Sequence, residues 1–115
     1  VYILSSHDRK YLHLSAVFAC NFVNHCYEIA AEILHQHDIP FEVLQPLIDE
    51  TARKIHMLSP RDAQTGPAVR YDKNVIEAQR KLLADLPLWL EIYERMSASI
   101  HRTAITNKPN HYDKL

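Results

Sequence analysis

Apolar residues recur at helical spacing through the first third of the chain. Phe18, Phe22, Ile29 and Ile33 lie together. Leu12, Ala16, Ala19, Val23, Cys26, Ala30 and Leu34 widen that face to about half of a cylinder turning ~100° per residue. No proline or glycine interrupts the run from Asp8 to His37, so the pattern predicts one long helix there. Its other side is a polar stripe of His13, Asn21, Asn24, His25, Glu28, Glu32 and His35. A helix of about 30 residues is ~45 Å long. A compact domain of this size has a radius of gyration near ~13 Å, hence a diameter of roughly 35 Å. The apolar face runs the whole length of the helix, so a second chain lying along it is the expected arrangement.

The remaining elements follow from caps and prolines. Ser5 with Asp8 has capping-box spacing and starts the long helix. Val1 to Leu4 reads as a short strand or extended lead-in belonging to a preceding domain. Ile39-Pro40 forms a turn. Phe41, Val43, Leu44, Leu47, Ile48, Ala52, Ile55 and Leu58 carry the next apolar pattern. Pro46 lies inside it and predicts a break, with a short turn from Phe41 to Leu44 and a helix from Pro46 to Leu58. Ser59-Pro60 predicts a capped turn over Pro60 to Ala63. Gln64 to Asp72 has no helical periodicity. Asp72 then caps a helix from Lys73 to Ala84, and Asp85-Leu86-Pro87 opens the last helix, Pro87 to about Ile105. The tail after it is expected to fray. The fold class is therefore all-α: a helical bundle led by one long helix. Residues 1–7 are the linker or end of a preceding domain, 8–106 the helical domain and 107–115 the tail.

Composition changes this picture in one respect. Of 115 residues, 47% are apolar and 23% charged, with a net charge of −1. That balance is ordinary for a globular domain and gives no electrostatic footprint for nucleic acid. No apolar run approaches the ~20 residues needed to cross a bilayer. The departure is a single glycine, Gly66. Gly-rich phosphate loops of the Rossmann or P-loop kind need several, so any dinucleotide is expected on a segment outside these residues. Cys20 and Cys26 sit six apart on one helix and cannot pair within it. Two buried, reduced thiols and a cytoplasmic location are expected.

Three features bear on chemistry. His13, Asn21 and Asn24 share a helix face. A histidine with two amides can hold a carbonyl or hydroxyl and move a proton near neutrality, although a solvated polar side is the plainer use of such a stripe. The segment from Thr65 to Asp72 contains the lone glycine, a hydroxyl and Arg70, whose forked cation suits a carboxylate or phosphate. The plainer use there is an Arg70–Asp72 pair. Eight histidines are present, but none has metal-ligand spacing, and no metal is expected.

Two motifs carry a resemblance. His13-Leu14-Ser15-Ala16-Val17-Phe18-Ala19-Cys20-Asn21-Phe22-Val23-Asn24-His25 resembles the opening helix of one family. Ser59-Pro60-Arg61-Asp62-Ala63-Gln64-Thr65-Gly66-Pro67-Ala68-Val69-Arg70, followed by Asp72, resembles a second stretch of it. The family is the helical C-terminal domain, domain of unknown function 2520, of Rossmann-type oxidoreductases similar to pyrroline-5-carboxylate reductase and the F420-dependent NADP oxidoreductases. The resemblance covers about residues 5 to 105. Tyr71 departs from it, standing where the family pattern has a small residue, often glycine.

The resemblance implies a fold like the C-terminal domain of 6-phosphogluconate dehydrogenase, a homodimer, and NADP or NAD held mainly by a separate N-terminal domain. It implies a small-molecule substrate and no activity from these residues alone. His13 becomes the expected proton donor and Asn21 the group holding a substrate oxygen. Asn24, Thr65, Gly66, Arg70 and Asp72 become substrate-binding, with Arg70 for an anionic group. A free-standing helical module that binds only its own copy is the alternative.

Overall fold

The computed structural model describes residues 3–106. Val1, Tyr2 and the expected frayed tail lie outside the described residues. Six α-helices, one π turn and one 3-10 turn make up the regular structure, and no strand occurs among the described residues. The chain is all-α. It divides into two compact units at Pro46/Leu47.

The first unit is led by a helical run: α1 (Ser6–Ala16), a π turn (Val17–Phe22) and α2 (Val23–His35). Ile3 and Leu4 precede it without regular structure. The Ser5 hydroxyl accepts from the Asp8 amide at 3.1 Å, satisfying a donor that the first turn cannot pair internally. The outer limits match the expected helix within two residues. The π turn does not: hydrogen bonds there span i to i+5, which accommodates one extra residue in the turn. Phe18 and Phe22 stack edge to face across it, with centroids 5.0 Å apart.

The C-terminus of α2 closes without glycine. The Ile39 amide donates to the Leu34 carbonyl at 3.0 Å, a six-to-one closure that places Asp38 at φ 56°. A 3-10 turn, Phe41–Leu44, follows and packs against α2. The tighter turn gives way to α3 (Gln45–Lys54) at the proline, as Pro46 requires.

α3 ends four residues before the expected Leu58. The amides of His56 and Met57 turn back three residues to Arg53 and Lys54. Ser59 must already be extended (ψ 152°) ahead of Pro60, so the helix unwinds first.

In the second unit, α4 is Pro60–Ala63, α5 Lys73–Leu82 and α6 Pro87–Ile105. The Ser59 hydroxyl accepts from the Asp62 amide at 3.2 Å, the same cap as at Ser5. Asp72 sits at the N-cap of α5 and offers its carbonyl to Ile76, but its side chain makes no capping bond. The helix stops at Leu82 and tightens into i to i+3 bonds through Ala84. α5 and α6 are tied by Arg80, which bonds Glu77 at 2.7 Å and Glu94 at 3.0 Å, and by the Tyr93 hydroxyl donating to Gln79 at 2.6 Å. Glu77 and Glu94 together raise the Arg80 pKa above its ordinary value.

Apolar cover is sparse. Ala68 (6% exposed) and Ile76 (5%) are the only buried side chains among the described residues. Phe18, Phe22, Leu12 and Leu14 on the first helical run are roughly half exposed, and Leu88 and Ile105 on α6 more so. Cys20 and Cys26 are free but exposed, which corrects the expected burial: no described element covers their flank.

Candidate functional site

The sequence-derived candidates fall on both units, and each group is described on its own. In the first unit, His13 lies near the end of α1, Asn21 within the π turn and Asn24 in the first turn of α2; all three are exposed. An unbroken α-helix would set His13 and Asn21, eight residues apart, about 80° out of line. The extra residue taken up by the π turn makes them behave as seven apart, which reduces the offset to about 20°. The π turn therefore straightens the polar stripe. It does not shorten it, since His13 and Asn21 are separated by about 12 Å along the axis at the usual helical rise.

One pair on this stripe has a fixed geometry. The His25 Nδ1–H donates to the Glu28 carboxylate at 2.8 Å, and the side chains are 54% and 66% exposed. The signal for it, His and Glu three apart on a helix, is visible in the sequence but is shared by ordinary surface ion pairs.

In the second unit, the segment between α4 and α5 carries Thr65, Gly66, Arg70 and Asp72. Gly66 has φ +104°, a conformation that side-chain-bearing residues rarely adopt, and open space where a Cβ would stand. The Asp72 amide donates to the Pro67 carbonyl at 2.9 Å, closing a compact turn over the buried Ala68. Arg70 is exposed and forms no ion pair among the described residues, so it is not taken up by Asp72. His101 on α6 braces this turn, with Nδ1 3.4 Å from the Val69 carbonyl.

A pyrophosphate cradle needs several closely spaced glycines, and Gly66 stands alone. No group of three or more metal-ligating side chains occurs among the described residues. No helix among them is long and apolar enough to cross a membrane. The α5–α6 corner has a shallow depression of about 230 Å³ lined by Asp85, Leu86, Pro87, Leu88 and Trp89. None of the candidates lines it.

The two motifs on these elements fit one family model throughout. Residues 1–100 match the family described as domain of unknown function 2520. The chain belongs to this family. A crystal structure of a putative NADP oxidoreductase from Bacteroides fragilis is 57% identical, with a TM-score of 0.86 over 89% of this chain and 39% of that one. The chain thus spans well under half the length of that relative. No curated protein matches it.

Within this domain of unknown function 2520, the departure at Tyr71 acquires a physical meaning. Tyr71 has φ 50°, inside the left-handed region, and its ring lies 5.2 Å from that of His101. A small residue or glycine meets the backbone requirement directly. Here the domain meets it with a tyrosine, whose ring is placed against α6.

Proposed function

We propose that this chain is the helical, substrate-side domain of an NADP-dependent oxidoreductase acting on a small molecule. The observation that carries the reading is 57% identity, over 89% of the chain, to a protein described as a putative NADP oxidoreductase more than twice as long. The single glycine supports placing the dinucleotide on a segment other than this one, and the description of the relative favours NADP. Residues 8–106 then act as the substrate and dimerisation domain, and these residues alone do not catalyse the reaction. Two free cysteines are consistent with a cytoplasmic location.

Each candidate has a role its chemistry allows. Asn21 and Asn24 offer amides to a substrate oxygen, and His13 is a proton donor at the N-terminal end of the stripe. Arg70, without an ion pair among the described residues, suits a carboxylate or phosphate. Thr65 and Asp72 add side-chain oxygens on the same segment, and Gly66 shapes the turn. Dimerisation through the first helical run is supported by its exposed Phe18, Phe22, Leu12 and Leu14, each worth about 1.5–3 kcal/mol when fully buried.

The test uses the full-length protein, NADPH consumption and a panel of small carbonyl and imine substrates. His13→Ala and Arg70→Ala should each lower turnover at least tenfold. Wild-type turnover in both variants removes their assignments, and absence of NADPH consumption by the wild type removes the oxidoreductase reading. Sedimentation of the same protein checks the homodimer.

A further inference from the structure

We propose that His25, held by Glu28, is the proton carrier at the Asn21 end of the stripe. The inference rests on the oxidoreductase reading and adds a proton carrier beside Asn21, while His13 serves a group at the N-terminal end of the stripe, about 12 Å away.

Three observations converge on His25. The first is reach. His13 and Asn21 are about 12 Å apart along the axis, too far to serve one reacting group, whereas His25 is one turn, about 6 Å, beyond Asn21. A substrate atom between the Asn21 amide and the His25 ring can touch both. The second is orientation. Nδ1 is committed to Glu28 at 2.8 Å, so in the neutral ring the proton resides on Nδ1, and Nε2 carries the lone pair. A carboxylate fixing one nitrogen while the other faces the reactant is a recurrent way of preparing an imidazole for proton transfer. The third is placement. Asn21 is inside the π turn and His25 is the third residue of α2, in the first regular turn after it. π turns are costly local departures from α geometry and are enriched at functional sites.

The pair does little for the fold. An exposed i, i+3 ion pair adds little to stability, and both side chains are more than half exposed. That leaves Nε2 accessible. The proposed step is a single proton transfer. The protonated ring gives the proton on Nε2 to a lone pair of the substrate oxygen or nitrogen, and neutral imidazole remains with Nδ1–H on Glu28. Reversal takes the proton back. Glu28 is a positioning residue: it fixes the tautomer and ring angle without touching the substrate.

The experiment has two readouts on the full-length protein. Imidazole 15N shifts should show His25 in the Nδ1–H form when neutral. Glu28→Ala should move it toward the Nε2–H form that free histidine favours. An unchanged tautomer in Glu28→Ala overturns the anchoring. In NADPH consumption, His25→Gln should lower kcat by about 100-fold or more, the usual scale of general acid–base catalysis. KM should hardly change, and added imidazole should restore part of the rate. Glu28→Ala should lower kcat less, again with little change in KM. Undiminished kcat in His25→Gln overturns this proposal and leaves the oxidoreductase reading standing. No turnover by the wild type on any substrate overturns both.

Discussion

The ring of Tyr71 leans on the ring of His101 at 5.2 Å while its own backbone sits at φ 50°. The two facts pull in opposite directions. Left-handed backbone costs a side-chain-bearing residue about 1–2 kcal/mol, and an aromatic contact returns about 0.5–1.5 kcal/mol. Tyr71→Ala keeps the cost and loses the contact, whereas Tyr71→Gly loses both. Urea unfolding should therefore find Tyr71→Gly more stable than Tyr71→Ala by about 1 kcal/mol. The opposite order would mean that the turn does not hold its left-handed form.

Asp38 presents the same backbone without a ring to offset it. Its φ is 56°, and the Ile39-to-Leu34 bond that closes α2 repeats the Asp72-to-Pro67 closure beside Tyr71. Asp38→Gly should stabilise the chain by roughly 0.5–1 kcal/mol, and Gly66→Ala should destabilise it by about 1–2 kcal/mol through backbone strain alone, since a Cβ at Gly66 meets no neighbour. Thermal melts of the two variants check both signs.

Arg61 ties the start of the second unit's short helix to the end of its longest one. One guanidinium nitrogen donates to the Thr103 carbonyl at 2.8 Å and to the Thr106 carbonyl. These are α6 end carbonyls that lack a helical partner. Arg61→Ala should cost about 1.5–3 kcal/mol, the range for hydrogen bonds to a charged group. Faster hydrogen exchange at the last turn of α6 should accompany it. A variant as stable as the parent would show the bonds to be dispensable.

Glu50 provides a pH-dependent contribution of known sign. Hydrogen bonding from Arg53, at 2.6 and 3.0 Å, holds its carboxyl below the usual 4.5. A depressed native pKa gives stability that is present above 4.5 and lost as the pH falls through the lowered value. Carbon-detected titration should place Glu50 below the usual 4.5, and Arg53→Gln should return it toward that value. Both side chains are about half exposed, so 1 M salt should shrink the difference.

Legibility in the sequence followed the strength of local signals. Pro60–Ala63 and Pro87–Ile105 match their predicted bounds because proline at a first helical position, after a polar or apolar cap, fixes where a helix starts. The outer limits of the first helical run were legible from Ser5 and Ile39-Pro40. The π turn inside it was not, because one inserted residue leaves no side-chain signature and the apolar pattern on either side fits a single wheel. Left-handed Asp38 and Tyr71 were hidden for a related reason: six-to-one closures, not residue type, select that backbone. At the candidate site, the residue types of the stripe were readable. The committed Nδ1 of His25 was not, since His-x-x-Glu spacing permits the bond without requiring it.

The scarcity of covered side chains, Ala68 and Ile76 among the described residues, reaches beyond packing. If a second copy supplies the missing cover, unfolding becomes a bimolecular equilibrium, and each tenfold dilution removes about 1.4 kcal/mol from the folded state. The melting midpoint of the protein should then fall steadily through a dilution series, and a midpoint indifferent to dilution would take the second copy out of the account.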